Sequence, residues 1–417
     1  MTAITDPPKQ QFHLSMLIYD TRYRSLTIQV VFFILLMAGA AWLVDNAVRN
    51  LEALGKDFNF AFLGTRAGYD INQMLVEYSN DSSHARALLV GLLNTLMVAF
   101  MGCVTATVIG VFVGVLRLSH NWIVARLMTF YVEIFRNVPV LLWILIIFSI
   151  FNESTPHPRS FKGENAESSM LFWDSVAITN RGTYAPEPLF SRSLGSIDIG
   201  IFLISLDLIA LIAVIAAGFL VGRRITHRAN RIQAETGTRP TTWWQTLLVN
   251  VGPFLIMLWV LGFHLGYPEF KGFNFAGGTY MRNSLLALWL ALSLYTGAFI
   301  AEIVRAGIQA ISKGQTEAAH ALGLRPSRTM NLVILPQALR VIIPPLISQF
   351  LNLTKNSSLA IAVGYMDLRG TLGGITLNQT GRELETILLM MLIYLAISLT
   401  ISAVMNVYNA SVKLKER

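Results

Sequence analysis

Two pairs of oppositely charged residues lie three positions apart within apolar stretches of the chain. Glu133 precedes Arg136 and Glu302 precedes Arg305, so each pair shares one helix face and is predicted to form an ion pair. Charges within membrane segments are costly and usually face an interior cavity or a partner. Two interpretations stay open: the pairs fix helix packing at the cytoplasmic ends of spans, or Glu133 and Glu302 belong to a solute pathway.

A second polar cluster follows an apolar segment that contains prolines. Pro336, Pro344 and Pro345 each remove a backbone donor and interrupt a regular helix. Irregular polar backbone at membrane depth is typical of solute sites in transporters. We therefore predict a substrate pathway at the polar residues that follow, which are Lys355, Asn356, Ser357 and Ser358. In the alternative interpretation, Lys355 marks the outer membrane interface and the other three cap the next helix.

A polar segment between two apolar ones has the pattern of a helical hairpin. The sequence EAAHALG begins at Glu317, and VILP follows nine residues after it. Gly323 favours the left-handed conformation that ends a helix, and Pro326 is tolerated in the first turn of the next helix. The small side chains of Ala318 and Ala319 let a partner approach closely. The segment predicts a contact surface on the inner face of a membrane, and an ordinary surface hairpin is the alternative.

The usual catalytic and metal-binding motifs are missing from the sequence. It contains no phosphate-binding loop, no HExxH and no GxSxG. Its seven histidines are scattered, and Cys103 is the only cysteine, so a disulfide within the chain is excluded. We expect no enzyme activity, no metal and no cofactor in this chain. If ATP drives its function, a partner must bind ATP and Mg and hydrolyse the nucleotide.

The composition is that of a polytopic membrane protein. Of 417 residues, 54% are hydrophobic and only 13% are charged, with a mean hydropathy of +0.55, whereas soluble domains carry about 25% charged residues. The net charge of +8 is explained by Lys and Arg on the cytoplasmic side of spans. The basic residues flank apolar runs and form no single stripe, which argues against nucleic-acid binding.

Eight segments are long and apolar enough to cross a bilayer, which needs about 20 residues per helix. The sequence thus predicts an all-α polytopic membrane protein with about eight transmembrane helices. The predicted spans lie near 27–46, 87–116, 126–151, 198–221, 244–266, 284–304, 332–353 and 384–408.

The placement of Lys and Arg gives the orientation. The loop at 222–243, the hairpin segment at 305–331 and the C-terminal tail are all rich in basic residues. With eight spans, they share the cytoplasmic side when both termini are cytoplasmic. The segment 152–197 then lies outside. Its prolines argue against a regular helix and its aromatic residues against disorder, so a packed external cap and an interfacial loop both remain open.

Several motifs together resemble one family, the permeases of polar amino-acid ABC transporters. The hairpin segment resembles their EAA coupling loop, with Val333 where the family has Ile. YVEIFRNVP at 131–139, TGAFIAEIVRAGI at 296–308 and KNSSL at 355–359 resemble further segments of these permeases. The extra spans and the long external loop resemble the general L-amino-acid permease branch, and within it the Q-type subunit.

The resemblance implies a type I ABC-importer permease core of five helices plus three added spans. The core would consist of spans two, three, six, seven and eight. The implied divisions are an N-terminal extra span and periplasmic segment (1–86), the first part of the core (87–151), an insertion with the periplasmic loop and two extra spans (152–283), the second part of the core with its coupling loop at 306–331 (284–410), and a cytoplasmic tail (411–417).

The resemblance also implies partners in a bacterial inner membrane. These are a second, related permease that forms a heterodimer with this chain, two ATPase subunits that bind ATP and Mg, a periplasmic amino-acid-binding protein and an L-amino-acid substrate. The residues carried over for ATPase coupling are Glu317, Ala318, Ala319, Gly323, Leu335 and Pro336.

One departure from the family bears on the solute. Asn356 replaces a frequent Asp, and a neutral amide hydrogen-bonds without favouring a cationic side chain. This fits a broad range of L-amino acids. A stand-alone, gradient-driven amino-acid transporter is the alternative function, but it leaves the coupling-loop spacing unexplained.

Overall fold

Helices dominate the computed structural model, which describes residues 15–53, 58–162, 167–200 and 202–412. The α-helices are α1 Met16–Tyr19, α2 Thr21–Ala53, α3 His84–Leu116, α4 Trp122–Asn137, α5 Val140–Glu153, α6 Leu206–Thr236, α7 Trp243–Val260, α8 Asn283–Gln309, α9 Lys313–Ala321, α10 Pro326–Thr329, α11 Leu335–Asn356, α12 Leu377–Thr380 and α13 Glu383–Val412. The 3-10 turns are Ala61–Gly64, Pro158–Phe161 and Ser357–Val363, and the π turns are Met330–Ile334 and Arg369–Thr376. The predicted tail beyond Val412 lies outside the described residues.

The chain forms two compact units, Met1–Phe62 and Leu63–Arg417. The first contains α2, a 33-residue helix with a span at Tyr23–Asn50 whose most apolar stretch has no buried residue. Such a helix is suited to lipid on all sides. The second unit contains all the described helices from α3 onward and all the described strands.

The predicted polytopic helical architecture is confirmed. Among the described residues, seven helices are long and apolar enough to cross a membrane, and the number is eight when α4 and α5 are taken as one bent span. Those two helices meet at 107°, so the span expected near 126–151 is a bent pair of helices. The bend follows from Pro139, because a residue before proline avoids the helical region, and Val138 is accordingly extended with φ −107° and ψ 133°.

The boundaries of two other predicted spans are wrong for a shared reason. The segment expected to start a helix at 198 is a β-hairpin, and α6 begins only at Leu206, where the Ser205 hydroxyl accepts from the backbone of Leu208. Within the segment 244–266, the helix ends at Val260 and a strand begins at Phe263. These short apolar stretches pair with other strands, which a hydropathy window does not register.

The part of the chain that the structure describes has nine short strands, which lie on one side of the helices. They are β1 Ala177–Thr179, β2 Gly182–Ala185, β3 Glu187–Phe190, β4 Ser196–Asp198, β5 Leu203–Ser205, β6 Phe263–Gly266, β7 Glu269–Lys271, β8 Asn274–Ala276 and β9 Thr279–Met281. The sheet β1-β2-β9 and the pair β3-β6 join the segments before α6 and after α7. Both segments therefore lie on the same side of the spans.

Side chains between these strands form a packed cap, which decides between the two interpretations of 152–197. Ala177, Tyr184 and Phe275 are buried together and contact Phe161 and Tyr280. We call this side of the helices the strand end. The opposite side, where α8 leads into α9, is the hairpin end.

The five predicted core spans pack together. The main buried cluster draws on α3, α5, α8, α11 and the turn after α11, a second cluster adds Val132 of α4, and α13 packs on α11. By contrast, α6 and α7 pack on each other, and no buried apolar cluster in the described part of the chain includes a residue of either helix. This packing agrees with the expected core of five spans, and the boundaries of the expected divisions stay a prediction.

Glycines allow the central contact between α3 and α8. A Cβ atom at Gly110 would lie 2.5 Å from Cβ and Cγ2 of Ile300, and one at Gly114 would lie 2.7 Å from the carbonyl oxygen of Ala301. At these glycines the backbone of α3 therefore packs directly against the side chain of Ile300 and the carbonyl group of Ala301. Small residues permit such close approach of helices in membranes.

A Gly110→Ala substitution is expected to destabilise the permease by about 1–3 kcal/mol, because an added methyl in a close-packed contact forces the helices apart. The matched control is Gly252→Ala in α7, where the nearest atom lies 4.0 Å from the added Cβ. Thermal unfolding in detergent should show a lower midpoint for the first variant only. Equal midpoints for both variants would contradict the proposed packing.

Candidate functional site

The hairpin segment forms the predicted helix, glycine and helix. Gly323 has φ +76°. Its N–H donates to the carbonyl of His320 at 2.9 Å, and the N–H of Leu324 donates to that of Ala319 at 3.1 Å, so left-handed capping satisfies the end of α9. Pro326 occupies the first turn of α10. The role of Gly323 as the corner of the hairpin is confirmed.

The second limb of the hairpin is continuous with a membrane helix. α10 passes through the π turn Met330–Ile334 directly into α11, and the whole stretch Pro326–Val363 forms one candidate span. The N–H of Leu335 donates to the carbonyl of Met330, and this wider turn comes just before Pro336, which has no donor. The expected second short helix is thus present as α10, and it is continuous with α11 rather than separate from it.

The surface of the hairpin is partly what the sequence predicts. Glu317 and Ala318 are exposed, whereas Ala319 is buried inside the hairpin, where its small side chain serves internal packing. Leu335 is exposed and Pro336 is half-buried at the start of α11. Leu322, which sequence reasoning missed, is 82% exposed beside the glycine corner. An apolar residue in this otherwise polar segment was the available signal.

At the hairpin end of α8, Glu302 is surrounded by three arginines. Its carboxylate accepts hydrogen bonds from Arg117 and from Arg305, and Arg136 lies 3.9 Å from its Oε2. The Arg117 side chain is only 8% exposed. This cluster ties together the ends of α3, α4 and α8, since Arg117 immediately follows α3 and Arg136 lies on α4.

The two ion pairs expected from spacing have different outcomes. Glu302 and Arg305 pair as predicted. The pair Glu133 and Arg136 is wrong: Glu133 is exposed and accepts a hydrogen bond from Asn137 at 3.2 Å, while Arg136 stacks over Phe299 and approaches Glu302. Arg136 faces α8 because an aromatic face and a partly buried carboxylate are available there.

The polar residues at the strand end of α11 do not lie in an unwound segment. The helix continues through Pro344 and Pro345 to Asn356, and only then does a 3-10 turn lead to Gly364, which has φ +69°. The predicted interruption at the prolines is therefore wrong. A proline removes one donor from a turn, and the flanking turns here keep their hydrogen bonds.

The four candidate pathway residues have different environments. The buried Ser357 hydroxyl donates to the carbonyl of Thr354 at 2.7 Å, and the Ser358 hydroxyl donates to that of Lys355 at 2.7 Å. Lys355 is exposed and Asn356 is half-buried. Lys355 and Asn356 are thus the more available for contact with a solute.

A polar stripe that sequence reasoning missed runs along the same helix. Ser348, Asn352 and Lys355 are exposed at i, i+4 and i+7, so they share one face of α11. Polar side chains of a membrane helix face a water-filled cavity or another helix rather than lipid. The helical spacing of these three residues was the signal, but it was hidden because we expected this segment to be unwound.

The connection between the last two spans holds a buried carboxylate, Asp367. It accepts from the backbone of Gly370 at 2.8 Å and from the Tyr394 hydroxyl at 3.3 Å. Burial raises the pKa of Asp367 to about 6, although both hydrogen bonds and the charge of Arg369 oppose this rise. Asp367 is held close to α3, because the N–H of Leu368 donates to the Thr95 hydroxyl.

The stability of the protein is expected to fall as pH rises through 6. The pKa of Asp367 is higher in the folded chain than its ordinary value of 3.8, so its protonated form favours folding. That contribution is complete below pH 3.8 and is lost as pH passes 6, with a total of about 3 kcal/mol. Thermal midpoints at pH 5 and pH 8 should differ less for Asp367→Asn than for the parent protein. The same difference in both proteins would contradict this assignment.

Comparison with known proteins identifies the class of membrane protein. Residues 106–414 match the family described as the inner membrane component of binding-protein-dependent transport systems. The chain is 64% identical to the glutamate/glutamine/aspartate/asparagine transport system permease protein BztB of Rhodobacter capsulatus, over 100% of both chains. It is 44% identical to the general L-amino acid transport system permease protein AapQ of Rhizobium johnstonii, over 96% of this chain and 94% of that one.

A third relative agrees with these two. The putative amino-acid ABC transporter permease protein YhdX of Escherichia coli is 42% identical, over 94% of this chain and 95% of its own. The matched family region, 106–414, includes the Glu302 cluster, the hairpin and the polar stripe. The resemblance drawn from the motifs is therefore confirmed, and the chain belongs to the family of inner membrane components of binding-protein-dependent transport systems.

Proposed function

We propose that this chain is the permease subunit of an ATP-driven importer of L-amino acids. The observation that carries the proposal is the hairpin, because it presents Leu322, Glu317 and Ala318 beyond the membrane helices and continues through a π turn into α11. A stand-alone gradient-driven transporter has no use for such a surface. The relatives that match the whole chain are named as permease proteins of transport systems.

In this proposal the hairpin end is cytoplasmic and the strand end is periplasmic. The arginines at the end of α6, among them Arg223, Arg224 and Arg228, lie at the end of that helix away from the strands, as the positive-inside rule requires. The N-terminus and the C-terminus are then both cytoplasmic, in a bacterial inner membrane.

Two ATPase subunits and a second permease complete the proposed assembly. ATP and Mg bind to the ATPase subunits, one of which receives the hairpin with Leu322 as an apolar anchor. The second permease faces the polar stripe of α11, so that Ser348, Asn352 and Lys355 line a path between the two permeases. When the ATPases close, displacement of α9 and α10 moves α11 as one rigid helix and changes access to that path.

The proposed solutes include acidic amino acids and their amides. This range follows the name of the relative that is 64% identical, and it agrees with the neutral Asn356, which does not repel a side-chain carboxylate.

An Asn356→Asp substitution is therefore expected to lower the ratio of glutamate to glutamine uptake at least ~10-fold, because like charges in one site cost several kcal/mol. Competition by cationic amino acids should strengthen in the same variant. Asn331→Asp, on the exposed limb of the hairpin, is the matched control and should leave the ratio unchanged. An unaltered ratio in the Asn356→Asp variant would remove this residue from the solute path.

The function is tested by reconstitution. The tagged chain is purified in mild detergent with its partners, which mass spectrometry identifies, and the complex is placed in liposomes. The proposal predicts recovery of an ATPase and a related permease, and uptake of labelled glutamate and glutamine that requires both ATP and the binding protein. Uptake by this chain alone, driven by an ion gradient, would overturn the proposal in favour of a stand-alone transporter.

A further inference from the structure

A cleft at the strand end lies between two segments that precede membrane helices. One wall is the segment 74–78 with Arg86 from the first turn of α3, and the other is the β4-β5 hairpin that leads into α6. The cleft has a volume of about 480 Å³, which is within the usual range of small-molecule sites. Among the described residues that line it, none belongs to the polar stripe of α11, so the cleft is separate from the proposed path.

The wall formed by the segment 74–78 is packed firmly on α3. Val76 and Tyr78 contact the buried cluster that includes Ala87. The Nε atom of Arg86 donates to the carbonyl of Glu77 at 3.0 Å, and the Arg86 side chain is half-buried. The guanidinium group is therefore held beside this wall, where its positive charge is available to the cleft.

The opposite wall brings a carboxylate to the cleft. Asp198 lies directly across from Leu203 in the antiparallel pair β4-β5, so the two side chains share one face of the hairpin, and both line the cleft. The Oδ1 atom of Asp198 accepts from the N–H of Gly200 at 2.7 Å, which holds the carboxylate in place. This wall thus presents one acid beside the apolar side chains of Phe202 and Leu203.

The charges of the cleft select the kind of ligand. Arg86 is the one cation among the described residues that line it, and Glu77 and Asp198 are the two acids. A phosphate group would meet more negative than positive charge. A molecule with one carboxylate and one ammonium group satisfies both signs, because each then forms charge-assisted hydrogen bonds. Apolar residues of the lining, among them Met74 and Leu75, leave room for an uncharged side chain.

We propose that this cleft is a second solute site, which binds a zwitterionic L-amino acid with an uncharged side chain, such as glutamine. The inference rests on the proposed function, which supplies amino acids to this permease, and it adds a site outside the path along α11. The α-carboxylate of the ligand binds Arg86, and the α-ammonium binds Asp198 and Glu77. Because acids outnumber cations in the lining, the site favours glutamine over glutamate.

The test locates the ligand by protection of an introduced cysteine. Leu203→Cys is made in a Cys103→Ala background, and the assembled transporter in lipid nanodiscs reacts with a neutral maleimide, followed on this chain by mass spectrometry. Saturating glutamine is expected to slow the reaction at least ~5-fold, because a pocket covers most of its ligand and the ligand then covers the wall. The matched control is Leu194→Cys. Leu194 is 53% exposed and Leu203 is 52% exposed, but Leu194 does not line the cleft.

A second measurement tests the proposed contact with the ammonium group. N-acetylglutamine lacks that charge and should need at least ~5-fold higher concentration than glutamine for half-protection, since hydrogen bonds to charged groups are the stronger ones. Asp198→Asn should narrow this difference. Asp174→Asn, at an exposed acid of the same end that does not line the cleft, should preserve it.

The outcomes separate the site from the importer. No protection at position 203, equal protection at positions 203 and 194, or an unchanged difference in Asp198→Asn would each overturn the inference while leaving the proposed function intact. Protection by transfer from detergent to lipid, with no further effect of glutamine, would overturn it in favour of a lipid ligand. Protection by glutamine in a complex that shows no ATP-dependent uptake would support the site and overturn the proposed function.

Discussion

Replacing Glu302 with glutamine is expected to destabilise the permease by about 3–5 kcal/mol, the usual cost of breaking a buried ion pair by removing one partner. Arg117 would remain almost fully buried with no counter-charge, and Arg136 and Arg305 would repel it. The ends of α3, α4 and α8 would then separate at the hairpin end. The measurements are the amount of folded protein recovered from membranes and its thermal midpoint in detergent.

Glu133→Gln is the matched control for this prediction. Glu133 lies near the same end of α4 as Arg136, but it is exposed and accepts a hydrogen bond from Asn137. Its loss should change stability by no more than about 0.5 kcal/mol. A double variant, Glu302→Gln with Arg117→Gln, should recover part of the lost stability, because the uncompensated buried charge is removed. Equal midpoints for Glu302→Gln and the parent would show that the arginines are satisfied by other groups.

The Glu302 cluster shows what the sequence could and could not predict. The pair with Arg305 follows from helical spacing and was correct. The ion pair with Arg117 joins residues 185 positions apart, and no local pattern marks it. For Glu133, the same spacing gave a wrong pair, because the 107° bend after α4 and the packing of that helix on α8 bring Arg136 to Phe299 and Glu302.

The membrane helices were largely predictable because hydropathy is a local property and bilayer thickness sets helix length. The ends of these helices were not predictable where distant segments of the chain pair as strands. Phe263 was assigned to a helix although it pairs with Phe190 in β3-β6. Similarly, the prolines of α11 suggested an unwound solute site, whereas the helix persists and presents Asn352 and Lys355 as a stripe. The structural reason given for these candidate residues is therefore wrong, and their role in a solute path stays a prediction.

Gly323→Val is expected to reduce ATP-dependent uptake at least ~10-fold without preventing membrane insertion. A Cβ atom at Gly323 has nothing within 4 Å, so the substitution causes no steric clash with neighbouring residues. Its cost comes from φ +76°, which a β-branched residue strongly resists. The corner must therefore change conformation, which rotates α9 relative to α10 and moves Leu322 and Glu317 away from the surface that a partner would bind.

Two further variants separate this explanation from general damage. Gly323→Asn should retain most uptake, because asparagine tolerates the left-handed region far better than valine. Gly381→Val introduces the same conflict at φ +63°, also with nothing within 4 Å of the added Cβ, but at the strand end. It should leave recovery of the ATPase with the complex unchanged, whereas Gly323→Val should reduce it. If valine at both glycines lowered ATPase recovery equally, or if Gly323→Val supported normal uptake, the hairpin corner would have no specific part in coupling.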